Sequence, residues 1–543
     1  MSQNILFWKV FSRRSLISFF VIMLLFLSCI LRVADIASSD YESVRASQNS
    51  YKLKITNLRG TVFDQNMIPL TNNVKKTVAA VSPTPRAITG ISSILKGDDL
   101  QNVLARLKSG KPVLCEVEKK IECDGIVFTD IYTNSDIPLA PHLIGYTDTD
   151  SKGVSGIQSA YDSLLYSEKE VYISYEISAA GDMLKGLSPT VFNDSSIRAN
   201  GVVTTLDVNI QTLAEEVADN IEKGAVIIAD SKSAEIRACV SRPNFNPFNI
   251  AQYLSDQNSP LLNRAINAYN VGSVFKPCVA IVGIENKKGN FIYRCTGSCE
   301  IIDRFFKCHK SSGHGYMNLG TAIANSCNTF FYNFSFHIGE DAVYNTAKTL
   351  KFGSALKICD GIYTAKGNLP SKNSLSNIAY LANFSIGQGE LLLSPISMLT
   401  LYCSIASDGA YYLPSVVKGT LKDGSFTQYD KGNRTRVMNE LTAQKLRGYL
   451  EKVLTDGTGS NAKPKNVTAA GKTATAQTGK FENGIEICQS WFCGFFPADN
   501  PKYTVIVFSE NLANQTASCA QIFAQLADGI TYLENRSTAN TSN

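Results

Sequence analysis

From Ser15 to Leu31 the chain reads SLISFFVIMLLFLSCIL, 17 residues without a charge, and this run divides everything else in two. An uncharged apolar stretch of that length is near the lower limit for crossing a bilayer. Lys9, Arg13 and Arg14 precede it. The positive-inside rule then leaves the N-terminus in the cytoplasm and the remainder outside. A cleaved signal sequence is the rival reading, since Val33-Ala34-Asp35-Ile36-Ala37 offers small residues nearby. The apolar run exceeds the usual signal core of roughly 7–15 residues, which favours an uncleaved anchor at 15–34 behind a cytoplasmic tail at 1–14. A buried helix of a soluble domain fits poorly with the basic flank.

A chain of 543 residues is too long for one ordinary core, and two or three domains are expected. The net charge of +5 is small for this size. No Lys/Arg block marks a nucleic-acid surface, so that class is set aside. Between residues 57 and 198, short β-type runs (Thr77 to Val81, Val171 to Ile177) mix with polar helices such as Gly97 to Lys108, an irregular α+β region. Near Gly201 the character changes. Asp207 opens a helix with Ile210, Leu213 and Val217 at helical spacing, and the strand Ala225 to Ala229 follows. The main boundary is therefore drawn near 200, giving a first domain at 35–199, a second at 200–534 and a polar tail at 535–543. The second domain ends in the strands QSWFCGFFPA and YTVIVFSE and a helix from about Ala517 to Leu533. β-runs at both ends with helices between them predict a sheet assembled from distant parts of the chain and layered with helices.

Three short motifs carry chemistry. Ser273-Val274-Phe275-Lys276 alone says little, because Ser93/Lys96, Ser354/Lys357 and Ser415/Lys418 also fit Ser-x-x-Lys. Its context separates it: Gly272 precedes, Pro277 follows, and CVAIVGI continues at helical density. Proline is tolerated only in a helix's first turn, so a helix must begin at or just before Ser273. The hydroxyl then sits at the positive end of the helix dipole, with Lys276 on the same face. A lysine desolvated there, close to another cation, becomes a neutral amine able to take the serine's proton. Taken alone, the motif is better read as an N-cap serine and a surface lysine. Ser326-Cys327-Asn328 lies within AIANSCNTFFYNF; it is either an ordinary polar turn or a pair of polar side chains needing partners among apolar helices. Gly471-Lys472-Thr473-Ala474-Thr475 reads as a strand, with Lys472 and Ala474 on one face and Thr473 and Thr475 on the other. An exposed edge of that kind suits a peptide carboxylate lying alongside; a merely solvated strand is the plain alternative. In order and spacing the three match the constellation of penicillin-recognising serine enzymes.

With these motifs on view, the chain resembles the class B penicillin-binding proteins, particularly those of Gram-positive spore-forming bacteria. NLRGTVFDQNMIPL at 57–70, APHLIGYTD, GVSGIQSAYDSLL, VVTTLDVNIQTLAE and SIGQGELLLSPI at 385–396 resemble further landmarks of the family, so the likeness covers roughly 57–510. The resemblance implies a pedestal or dimerisation-type domain followed by a transpeptidase domain, an antiparallel sheet with helices on both faces. It implies that Ser273 attacks the penultimate D-Ala carbonyl of a peptidoglycan stem peptide, expels the terminal D-Ala and passes the acyl group to an amine. Lys276 would be the base. Ser326 and Asn328 would relay the proton and hold the substrate amide. Lys472 would tune the electrostatics, Thr473 and Thr475 would hold the donor carboxylate, and the N–H groups of Ser273 and Thr475 would form the oxyanion hole. β-Lactams would acylate the same serine. A separate membrane glycan polymerase is the implied partner, beside the bilayer itself, and no metal or organic cofactor is implied.

The family's Lys-Thr-Gly is Lys472-Thr473-Ala474 here. Glycine allows close approach to backbone, so a methyl at this point is expected to slow acylation without abolishing it. Fourteen cysteines are present, and only Cys29 lies in the anchor. The odd remainder leaves at least one thiol outside the membrane without an intrachain partner; Cys239, Cys278 and Cys403 sit in apolar stretches as small core residues. The stretch Cys295, Cys299, Cys308, His309, His314 has ligand-type residues, but its spacing matches no standard zinc pattern. By resemblance to the spore-former sequences a disulfide Cys295–Cys308 is expected, with free thiols as the alternative. Two other functions stay open: a hydrolase of the carboxypeptidase or β-lactamase type, and a catalytically weakened scaffold of a wall-synthesis complex.

Overall fold

The computed structural model describes residues 2–38, 50–178, 183–184, 187–482, 484–511 and 516–541. The apolar run lies inside one helix, Ser2–Ser38. Its stretch Arg13–Asp35 has a mean hydropathy of 2.6 with none of it buried, long and apolar enough to cross a membrane.

The rest divides into two compact units, interleaved along the chain. One holds Lys76–Ile131 and Lys169–Asp194 together with Met1–Thr56. In it, Val74–Val81 pairs between Val113–Val117 and Ile126–Thr133. The helices Pro85–Ile94 and Gly97–Leu107 contribute Ile91, Val103 and Leu107 to a small core with Ala79, Val81 and Ile126.

The other holds Asn57–Lys75, Tyr132–Glu168 and Ser195–Asn543. This division differs from a single cut near 200, and long-range pairing is the reason. Thr61–Phe63 runs parallel to Gly201–Thr204. Arg59, 8% exposed, donates from Nε to Gln158 Oε1 (2.7 Å), from Nη1 to Asp162 Oδ1 (2.7 Å) and Ser151 O (2.7 Å), and from Nη2 to Gln158 O (2.8 Å). A guanidinium fork meeting four fixed acceptors thus ties NLRG to GIQSAYD across 99 residues of chain at Gln158 and 103 at Asp162. Asp64, fully buried, accepts from the N–H groups of Asn66 and Ile68 and from Val208 at the start of helix Val208–Ala218.

The sheet of this unit is built from β1 (Gly224–Asp230), β2 (Ile236–Arg242), β3 (Ala470–Glu482), β4 (Ile485–Phe496) and β5 (Tyr503–Ser509). Its order is β2-β1-β5-β4-β3, antiparallel throughout. The central β5 is buried at every residue, which accounts for its continuous apolar run. Helix α1 (Lys276–Glu285) follows Ser273; α2 (Leu319–Ala324) and α3 (Asn328–Ile338) flank Ser326; α4 (Pro395–Ala406) packs on β5, and α5 (Cys519–Thr541) closes the unit. Adjacent strand residues point to opposite faces, so Phe492 and Trp491 report what covers each. Phe492 meets Phe523 of α5 at 4.4 Å; Trp491 lies against Phe508 and donates to Asn270 O (2.8 Å), three residues before Ser273. α5 runs eight residues beyond the expected end at Leu533, to Thr541, and so takes in 535–541 of the stretch read as a polar tail.

Candidate active site

Ser273 stands in a single 3₁₀ turn, Gly272–Phe275, that leads into α1. The helix expected at this point is tightened in its first turn for a simple reason. Pro277 has no N–H to offer Ser273 O, so the Lys276 N–H closes on that carbonyl instead. Gly272, at φ +68°, has no Cβ to clash, and its N–H donates to Gly387 O (2.7 Å). Asn270 N–H is held by Gln489 Oε1 (2.9 Å), and Tyr402 Oη donates to Val274 O (3.0 Å). Phe275, buried, sits against Phe352 and Phe384. The turn is thus pinned from β4, from α4 and from the SIGQG segment. These positioning partners escaped the sequence reading, because backbone-to-backbone and amide contacts over such distances leave no local signature.

Lys276 is fully buried. Its Nζ donates to Asn328 Oδ1 (2.7 Å), Ser326 O (2.7 Å) and Ser326 Oγ (3.2 Å). Burial pushes its pKa down to about 7, against the upward pull of the Cys327 and Cys308 thiols. Lys472, also fully buried, donates to Thr473 O (3.0 Å). Its pKa is held well below the ordinary value by burial and then by the charge of Lys276. Two buried ammonium groups that repel one another are not both kept charged.

The Ser-x-Asn triplet is the joint between two helices. Ser326 N–H bonds to Ile323 O and Cys327 N–H to Ala322 O, the paired bonds of a Schellman turn closing α2. Its left-handed residue is Ser326, φ +52°, where glycine is the usual choice. Asn328 opens α3.

On β3, Lys472, Ala474 and Ala476 are buried while Thr475 and Gln477 are exposed and Thr473 is half-buried; Thr458 Oγ1 lies 3.2 Å from Thr473 Oγ1. The methyl of Ala474 therefore points inward. A Cβ on Gly272 would lie 3.3 Å from it and 3.2 Å from that of Ala476. The crowding expected of Ala474 falls on the underside of the nucleophile's turn and not on the face that carries Thr475. Above that turn opens a cleft of about 640 Å³ whose lining includes Ser273, Asn328, Tyr332, Asn383, Thr475 and Gln477. The cleft thus brings the Ser273 turn together with Asn328, which accepts from the buried Lys276 amine, and with the exposed Thr475 of β3.

Beside the triplet, Cys295 and Cys308 stand as unbonded thiols, not joined as the resemblance implied. Their sulfurs, a ring nitrogen of His314 and Cys327 Sγ all fall within 4.8 Å of one another. Cys299 and His309 are not in this group. Sequence spacing alone does not point to Cys327, which α2 separates from the other three.

The penicillin-binding protein transpeptidase domain matches residues 224–528, more than half of the chain. The chain belongs to that family. Among proteins similar to this chain is stage V sporulation protein D of Bacillus subtilis, 28% identical over 390 residues, 68% of this chain and 58% of that protein's own length. The peptidoglycan D,D-transpeptidase MrdA of Acinetobacter baumannii is 25% identical over 94% of this chain and 85% of its own. The fold of penicillin-binding protein 3 of Mycobacterium tuberculosis, solved in complex with aztreonam, covers 89% of this chain and 97% of that one at a TM-score of 0.65 and 22% identity.

Proposed function

We propose that this penicillin-binding protein is a membrane-anchored class B D,D-transpeptidase that cross-links peptidoglycan through an acyl-enzyme on Ser273. The observation that carries the reading is Lys276: a buried amine held by Ser326 and Asn328 and brought near neutrality at physiological pH. Neutral Lys276 takes the Ser273 proton as Oγ bonds to the penultimate D-Ala carbonyl carbon. The N–H groups of Ser273 and Thr475 receive the developing oxyanion, and Thr473 and Thr475 hold the terminal carboxylate. The C–N bond to the terminal D-Ala then breaks, its nitrogen taking the proton back by way of Ser326. An amine of a neighbouring stem peptide attacks the ester, returns a proton to Ser273 and leaves the cross-link. β-Lactams acylate the same oxygen and remain.

The N-terminal helix is the anchor, with its N-terminus in the cytoplasm and both compact units outside, the one holding Lys76–Ile131 and Lys169–Asp194 as pedestal and the sheet-bearing one as the catalytic part. A separate membrane glycan polymerase is the partner this reading calls for.

Labelling of the full-length chain by a fluorescent penicillin, beside Ser273→Ala, tests the proposal. Label that survives denaturation in the parent and vanishes in the variant is expected. A folded parent that takes no label would make the scaffold the better account, and rapid loss of label with release of hydrolysed penicillin would make it a hydrolase.

A further inference from the structure

The four donors beside the Ser326 turn have the dimensions of a ligand set. Tetrahedral zinc holds sulfur at ~2.3 Å and imidazole nitrogen at ~2.0–2.1 Å, which sets the edges of the tetrahedron at about 3.8 Å for two sulfurs and about 3.5 Å for sulfur and nitrogen. The Cys308 and Cys327 sulfurs are 3.9 Å apart, and His314 Nδ1 lies 3.6 Å from Cys295 Sγ and 3.5 Å from Cys308 Sγ. A disulfide would instead need two sulfurs at about 2.0 Å and would leave the other two donors without a role.

The scaffold supplies the donors from separate elements. Cys295 ends the strand Tyr293–Cys295, whose partner Gly315–Met317 begins one residue after His314. Cys308 follows the hairpin strand Arg304–Lys307, and its N–H is held by Gly297 O (2.8 Å). Cys327 caps α3. Gly297 at φ +99° and Gly313 at φ +77° make the turns that aim Cys295, Cys308 and His314 at one point, and at either glycine a Cβ would run into backbone. Cys295, Cys308 and Cys327 are all buried, a closed shell of the kind found in structural zinc sites.

We propose that Cys295, Cys308, His314 and Cys327 bind one zinc ion, and that the ion holds Ser326 and Asn328 in place for catalysis. Zn²⁺ displaces three thiol protons to solvent and accepts the lone pair of His314 Nδ1. Its reach into the active site is covalent: Cys327 lies between Ser326 and Asn328, and both neighbours bond to Lys276 Nζ. A ligand bond at Cys327 fixes a turn whose first residue is in a left-handed conformation that serine disfavours. The sequence motif and the metal site thus share one three-residue segment.

The first half of this proposal stands apart from the transpeptidase reading; only the effect on acylation rests on it. Full-length protein purified without chelator is expected to carry one zinc per chain by elemental analysis. Cys308→Ser and His314→Ala should lose it, and Cys299→Ser should keep it. Should those variants fail to fold, stripped parent protein refilled with Co²⁺ decides the point, because thiolate-to-cobalt charge transfer and strong visible bands mark a tetrahedral sulfur site. No zinc, no such spectrum and a Cys295–Cys308 disulfide in non-reduced peptides would overturn it. Stripping the metal should slow penicillin acylation by about tenfold or more, with recovery on adding zinc alone. Unchanged acylation in the stripped protein would overturn the positioning role, whereas zinc in a chain that takes no label in any state would count against Ser273 as nucleophile and leave the metal site standing.

Discussion

A lysine that is to act as a base must give up its charge, and at Lys276 burial does the work. With the pKa lowered to about 7, the amine is protonated below that pH and free above it. Acylation by penicillin is therefore expected to rise through a midpoint near pH 7 and level off above, where an ordinary lysine would titrate near about 10.4. A pH profile of the second-order rate that keeps climbing beyond about pH 9 would show the ammonium to be unperturbed. Lys276→Arg keeps the cation at every such pH and should cost about 10²–10⁴ in rate. Ala474 asks a different question, because its methyl packs under Gly272 and not in the cleft. Ala474→Gly removes about 0.8 kcal/mol of methyl burial and adds roughly 0.5–1 kcal/mol of backbone entropy. Lower stability with acylation within a few fold of the parent is the expected pair of results. A tenfold faster acylation would mean that the methyl had been obstructing the substrate.

The Ser326 turn separates two jobs that one residue performs. Its backbone serves the Schellman turn between α2 and α3; its hydroxyl serves Lys276. Ser326→Gly keeps the first, and glycine even relieves the left-handed conformation. The variant should melt no lower than the parent while acylation falls by about 10²-fold or more, the scale of a lost proton relay. A variant as fast as the parent would remove the hydroxyl from the mechanism. The same turn shows what was legible in the sequence and what was not. Ser273, Lys276, Ser326, Asn328 and Lys472 could be picked out because the chemistry demands those residue types, and Pro277 and the apolar run fixed where α1 begins. Cys327 could not be joined to Cys295, Cys308 and His314, since two hairpins and α2 lie between them and only folding brings the sulfurs together. Gln489 and Gly387 are silent for the same reason: each supports Ser273 through one hydrogen bond to backbone, which any sequence pattern would permit.

At the scale of the molecule, chain order and packing order part company. The strands Gly224–Asp230 and Tyr503–Ser509 pair from opposite ends of the second unit, and their unbroken apolar runs made them visible as buried strands. The early segments 57–75 and 132–168 carry no such mark, yet they pack with the sheet-bearing unit. Arg59 is the reason that can be tested. It is buried, its charge is paired with Asp162, and its other donors go to Gln158 and Ser151; burial presses its pKa down, and Asp162 and then Asp148 pull it back up. Removing the guanidinium leaves the Gln158 side chain, 3% exposed, without its partner. Hydrogen bonds to a charged group contribute about 1.5–3 kcal/mol each, offset in part by the cost of burying the ion. Arg59→Ala should therefore lower the unfolding midpoint by several degrees, equivalent to about 2–4 kcal/mol. At low temperature its acylation rate should match the parent's, because none of its partners touches Ser273, Lys276 or the Ser326 turn. An unchanged midpoint would mean that desolvation cancels the four hydrogen bonds, and the early segments would then be held by their apolar contacts, Val62, Leu143, Ile157 and Leu165.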